Sequence, residues 1–191
     1  MPSLRTSVDS YDALKAHVAA EHPVAPTALE TMKLTINGEL YEFVIGGEVK
    51  PWHVLAYTLR ETLGLAGTKI GCDDGSCGIC TVLMDGKPIL SCHTLTAECD
   101  GKNITTIEGL EDVKASKLHP IQQAFIEEFG VQCGFCTPGQ IMAAKSLLDR
   151  NPNPSREEVR EALSGVLCRC TGYDAIIDSV LAAARIMEEV G

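Results

Sequence analysis

The sequence predicts an α+β chain in two parts, a small mixed sheet covered by one helix followed by an all-α bundle of four short helices. Three observations carry this expectation. Asn37-Gly38 and Asp85-Gly86 each sit between short runs suited to strands, as tight hairpin turns require. From His119 onward, apolar residues recur at helical spacing. Between the two parts lies Gly109 to Leu118, a polar stretch without clear periodicity. The boundaries that follow are an N-terminal extension over residues 1–31, a first domain over 32–110 and a second over 111–191.

The extension holds a short amphipathic piece around Tyr11 to Ala20 and then EHPVAPTALE, whose two prolines suit an extended connector. It has no core of its own and is expected to lie against another subunit or wrap the outside of the complex. Lys33 to Ile36, Asn37-Gly38 and Glu39 to Val44 read as a hairpin, because Asn-Gly supplies the positive φ angles of a type I′ turn. Pro51 suits a helix start, and Trp52, Leu55, Leu59 and Leu63 then give one apolar face ending at Gly64. Strands are expected at Thr81 to Met84, Pro88 to Ser91 and around Asn103 to Ile107. Hairpin, helix, loop, hairpin and strand make a β-grasp ordering. The helices of the second part are expected over Pro120 to Phe129, Pro138 to Leu148, Arg156 to Ser164 and Asp174 to Glu189. Ser155 and Glu158 form a capping box for the third, which Gly165 is placed to end.

Composition excludes several classes. No apolar run approaches the ~20 residues that span a bilayer, and the first residues lack the features of an export signal, so the expectation is a cytoplasmic protein with no membrane association. The net charge is -10 with no cluster of Lys or Arg, which argues against nucleic acid as a partner. Neither a GxGxxG fingerprint nor a catalytic triad is present, so substrate chemistry is expected elsewhere.

Nine cysteines in such a chain point to metal ligation rather than disulfides. Cys72, Cys77 and Cys80 follow a Cys-x4-Cys-x2-Cys pattern with Cys92 further on, the spacing of plant-type 2Fe-2S ferredoxins. Four thiolates must converge on a small centre, so three come from one curled loop, in which Gly71, Gly75 and Gly78 let the backbone approach the sulfurs. Zinc sites more often pair two Cys-x2-Cys knuckles. The neighbouring Asp73 and Asp74 read as solvated loop residues. Cys133, Cys136, Cys168 and Cys170 form a second set that fits either an iron–sulfur centre or a zinc site. Each pair lies just ahead of a helix start, Thr137-Pro138 or Gly172, so two positive helix ends would face one anionic centre. Cys99 is left over and reads as a small buried hydrophobe.

The segments ETLGLAGTKIGCDDGSCGICTVLMDGKPILSC, TIEGL, LHPIQQAF, QCGFCTPGQIMAAKSLLDRNP and LSGVLCRCTGY resemble the small iron–sulfur subunits of molybdenum hydroxylases of the xanthine oxidase family. The likeness runs from about Lys33 to about Met187. It implies a ferredoxin-like β-grasp domain and a four-helix domain, each holding a 2Fe-2S cluster. It also implies a large subunit with molybdopterin and a medium subunit with FAD, assembled as a dimer of heterotrimers. Electrons would pass from molybdopterin to the Cys133/Cys136/Cys168/Cys170 cluster, then to the Cys72/Cys77/Cys80/Cys92 cluster, then to FAD. Gln132 and Cys170 are the expected molybdopterin contacts. Ile79, His93 and Val166 depart from common residues of the family without removing a ligand, and His93 is not expected to bind iron. Two rival readings are a free-standing two-cluster ferredoxin and a zinc-stabilised interaction module.

Overall fold

A computed structural model describes residues 31–111 and 117–190, and this part forms one compact unit. The extension expected over residues 1–31 lies outside the described residues apart from Thr31, as do residues 112–116 of the polar stretch.

β1 (Thr31–Ile36) and β2 (Glu39–Val44) form the first hairpin. Asn37 and Gly38 take φ of 52° and 84°, the two left-handed positions of a type I′ turn. β3 (Thr81–Met84) and β4 (Lys87–Leu90) repeat the device across Asp85 and Gly86. β5 (Asn103–Thr105) pairs parallel with β1 and antiparallel with β3, giving the mixed sheet order β2-β1-β5-β3-β4. Period-two alternation sends Met32, Leu34 and Ile36 of β1 inward, where they meet Phe43, Leu55, Leu59, Val82 and Ile104 in one core.

The covering helix is shorter than its apolar spacing suggests. α1 (Leu55–Tyr57) runs directly into a π-helical stretch, Thr58–Thr62, and the chain turns away at Gly64, φ 72°. Leu55 and Leu59 are buried and Leu63 packs against the same core, but Trp52 is 72% exposed. Tertiary pairing overrides the helical pattern here. His53 N–H closes a turn on Lys50 O (2.9 Å), His53 O accepts from Thr96 N–H (2.9 Å), and Val54 bridges Leu95. The residues of the expected first helical turn are therefore drawn into an extended contact, and the indole is left outside.

The second core belongs to α2 (Pro120–Glu127), α3 (Thr137–Arg150), α4 (Arg156–Leu163) and α5 (Tyr173–Val190). Phe125, Ile141, Leu148, Val159, Ile176 and Val180 are among its buried members. The Ser155/Glu158 box caps α4 as expected, with Glu158 Oε2 accepting from Ser155 N–H at 2.7 Å. α2 has a second box that its residue types conceal. His119 Nδ1 accepts from Ile121 N–H (3.2 Å), and Gln122 Oε1 accepts from His119 N–H (2.9 Å).

α3 also packs on β3 and β4, which joins the two cores. The joint is made of backbone. A Cβ on Gly139 would fall 2.7 Å from Ile79 O, and one on Gly78 would fall 2.0 Å from Gly165 O. Gly165 thus serves the joint as well as following α4.

Two outcomes follow from this architecture. Gly86→Ala adds only the cost of a left-handed residue, about 1 kcal/mol, since its Cβ meets open space. Gly78→Ala adds a clash with main chain to the same cost at φ 69°, and its loss in urea unfolding is expected to exceed the ~3 kcal/mol of ordinary overpacking. Equal losses would remove the joint as the reason for Gly78. The second outcome concerns acid. Burial, with Lys145 nearby, holds the His119 imidazole below its ordinary pKa. The unfolded chain therefore binds the proton first, and stability is lost as pH falls from about 6.5 through the lower folded value. Thermal unfolding of His119→Asn, whose amide oxygen can still accept at the cap, is expected to show a flatter pH dependence across that window.

Candidate metal centres

The first four thiols are gathered by one loop and one hairpin. Cys72, Cys77 and Cys80 lie in the loop before β3. The β3–β4 hairpin then carries the chain back, because Thr81 pairs with Leu90 and so sets Cys92 beside Cys80. Cys92 N–H donates to Cys80 Sγ at 3.4 Å, and Ser91 Oγ donates to Cys80 O at 2.6 Å. Cys77 N–H likewise donates to Cys72 Sγ at 3.4 Å. These bonds set Cys77 beside Cys72 and Cys92 beside Cys80. A Cβ on Gly71 would fall 3.0 Å from Cys77 Sγ, and Gly75 has φ 81°, so glycine is what the loop can use at both.

Local electrostatics differ around this set. The Asp74 carboxylate, which accepts from the Cys72 thiol, works to raise that thiol's pKa, but N–H donors from Asp74 and Cys77 and the Cys77 thiol bring it down to about 7. Burial, reinforced by Cys80, pushes Cys92 up to about 12. Asp74 accepts from the Cys72 thiol and from Ser76, which holds its carboxyl at about 2. Its part is to brace the loop, and His93 lies exposed with its ring against Gly75.

The second set is gathered by two loops. Cys133 and Cys136 precede α3, with Cys136 at its N-cap, and Cys168 and Cys170 lie between α4 and α5. Cys170 lies beside Cys133, and Cys168 beside Cys136. Burial pushes Cys136 up to about 12, whereas the Phe135 N–H draws the exposed Cys133 down. Gly134 and Thr171 take φ of 81° and 58°, the second at a position where residue type gives no warning. Gln132 lies across the turn that follows Cys170, its Nε2 3.3 Å from where a Cβ of Gly172 would stand. Tyr173, the last residue of LSGVLCRCTGY, is given no role by that segment alone, and its hydroxyl accepts from Cys168 N–H at 2.8 Å.

The two sets touch through main chain, where Leu167 N–H donates to Cys77 O at 2.8 Å. All nine cysteines are free thiols. Among the described residues, no group of three or more His, Cys, Asp or Glu side chains is placed to hold a single metal ion. Four thiols in each set are the donors that a 2Fe-2S cluster takes.

Fold and thiol sets together define a protein built for two iron–sulfur centres. Residues 106–181 match the family described as a [2Fe-2S] binding domain, and residues 56–124 match a 2Fe-2S iron-sulfur cluster binding domain. The nicotine 6-hydroxylase small subunit of Paenarthrobacter nicotinovorans is 53% identical over 129 residues, 68% of this chain and 76% of that one. The nicotinate dehydrogenase small FeS subunit of Eubacterium barkeri is 48% identical over 144 residues, 75% of this chain and 87% of that one. Among solved structures, quinoline 2-oxidoreductase from Pseudomonas putida 86 superposes with a TM-score of 0.77 at 46% identity, covering 85% of this chain and 98% of the matched chain. The chain belongs to the small 2Fe-2S iron–sulfur subunits of the xanthine oxidase family of molybdenum hydroxylases. As such it is the iron–sulfur part of an oxidoreductase and carries two 2Fe-2S clusters.

Cys99 stands apart from both sets, wholly buried in the sheet core with its thiol donating to Leu95 O. Cys99→Ser is expected to leave four irons per chain and both EPR signals unchanged, at a stability cost of about 1–3 kcal/mol for the buried hydroxyl. Iron analysis and urea unfolding check this, and loss of either signal would place Cys99 in a centre.

Proposed function

We propose that this chain conducts electrons from molybdopterin on a large subunit to FAD on a medium subunit, within a cytoplasmic dimer of heterotrimers. Cys72, Cys77, Cys80 and Cys92 would hold one 2Fe-2S cluster. Cys133, Cys136, Cys168 and Cys170 would hold the second. The donor chemistry fits, with four thiols per set, N–H groups directed at Cys72 and Cys80 sulfurs, and glycines where a Cβ would intrude. Each centre, when bound, takes up and releases one electron at a time.

The observation that carries this reading is the 2.8 Å hydrogen bond from Leu167 N–H to Cys77 O. It joins a residue of the first set to the neighbour of Cys168, a short through-bond link between the two. Electrons enter at the Cys133/Cys170 edge, where Gln132 has donors and an acceptor for a pterin ring and Cys170 offers a sulfur to its amino group. The reading as a subunit, rather than a free-standing ferredoxin, is supported by exposed apolar residues beside the second set. Phe135, Leu167 and Tyr173 each adjoin its thiols in sequence or structure, Val131 lies two residues before Cys133, and Phe129 is 82% exposed. Patches of this kind are covered by partners. No helix among the described residues is long and apolar enough to cross a membrane, and nine free thiols suit a reducing compartment.

Gln132→Ala in the assembled enzyme tests the entry point. Rapid-freeze EPR after substrate addition is expected to show slower reduction of both clusters, with unaltered spectra on chemical reduction. Reduction at the wild-type rate would remove Gln132 from the path. Reduction of the Cys72/Cys77/Cys80/Cys92 cluster ahead of the other would reverse the order.

A further inference from the structure

The peptide unit between Val166 and Leu167 is held at both of its polar groups. Its N–H, on Leu167, donates to Cys77 O at 2.8 Å, and its C=O, on Val166, accepts from Gln140 Nε2 at 2.7 Å. Gln140 lies in the first turn of α3 and is wholly buried. Its other amide atom, Oε1, has no hydrogen-bond partner among the described residues. Burying an unpaired oxygen costs about 1–3 kcal/mol, so an apolar side chain of similar length would serve the core as well or better. The amide is spent on one bond, to one peptide.

We infer that Gln140 is a positioning residue for electron passage between the two clusters, acting by clamping the Val166–Leu167 peptide in its bridging orientation. The inference rests on the proposed function, in which that peptide links Cys77 to Cys168. A peptide plane can rotate about its two flanking bonds without moving its neighbours far, and here such a rotation would turn Leu167 N–H away from Cys77 O while every thiol stayed in place. Gln140 blocks the rotation, because turning the plane also breaks its own bond to Val166 O and strands a buried carbonyl. The two bonds lie in series through one amide, so each also polarises the other. Nothing covalent changes. One electron leaves one centre and arrives at the other, supplied by oxidation of an organic substrate on the partner subunit.

Two variants of the assembled enzyme test this, with photoreduced flavin as the electron source. Gln140→Met keeps the volume and removes the donor. It is expected to retain four irons, both EPR signals and both midpoint potentials while slowing electron transfer between the clusters. Gln140→Glu adds a pH profile. The carboxylate cannot donate to Val166 O and transfer is slow, whereas the protonated acid can donate, so transfer recovers as pH falls. Transfer at the wild-type rate in Gln140→Met, or transfer that stays slow at every pH in Gln140→Glu, overturns the inference. Slowing accompanied by a shifted midpoint potential also overturns it, since driving force would then be the cause. If Gln140→Met fails to assemble, the pH profile of Gln140→Glu decides alone. Absence of transfer between clusters in the wild-type enzyme would instead defeat the functional reading itself.

Discussion

The approach of main chain to main chain at the joint between the two cysteine loops is the constraint on which the rest depends. Gly78 meets Gly165, Gly139 meets the carbonyls of Gly78 and Ile79, and Leu167 reaches Cys77. No side chain fits between these segments, so the loops are held at a separation that only backbone atoms set. Because Cys77 and Cys168 lie on the two sides of this contact, the distance between the thiol sets is fixed by the joint rather than by either core.

The surrounding elements keep the joint from shifting. The Glu108 carboxylate accepts from Gly67 N–H at 2.7 Å and from the Thr106 hydroxyl, while Asn37 at the first hairpin turn both donates to and accepts from Thr106. One network thereby ties the hairpin, β5 and the segment leading into the cysteine loop. Arg60 adds bonds to Ala66 O and Thr68 O on the other side. On the helical side, Arg156 at the start of α4 pairs with Asp174 and Asp178 of α5, so the loop carrying Cys168 and Cys170 is spanned by an ion-pair network. Exposed pairs of this kind contribute little stability singly.

Burial gives the thiols unequal character. Cys92 and Cys136 are pushed up to about 12, whereas Cys72 stands near 7. A buried thiol loses its proton only when a cation arrives to replace it, which couples filling of each site to proton release. The more accessible member of each set, Cys72 or Cys133, is the one whose thiol lies below its ordinary value.

Much of this molecule is legible in its residues. Turn types follow from Asn37-Gly38 and Asp85-Gly86 because only a few residues tolerate left-handed φ. Strands follow from alternation, the α4 start from Ser155 and Glu158, and the 2Fe-2S chemistry of the first set from thiol spacing, because a small centre dictates how a loop must curl; the spacing of the second set leaves zinc open. These are local rules, and local rules survive folding. Tertiary structure decided the rest. Trp52 belongs to a helical face by spacing, yet it stands exposed because Val54 pairs with Leu95, some forty positions away. His119 caps α2 through a tautomer and a geometry that its residue type does not announce. The Gly78 contact with Gly165 and the Gln140 clamp on Val166 each join positions with no shared motif. They exist because two separately readable parts are pressed together along α3, and sequence records the faces of an element more plainly than the partner each face will meet.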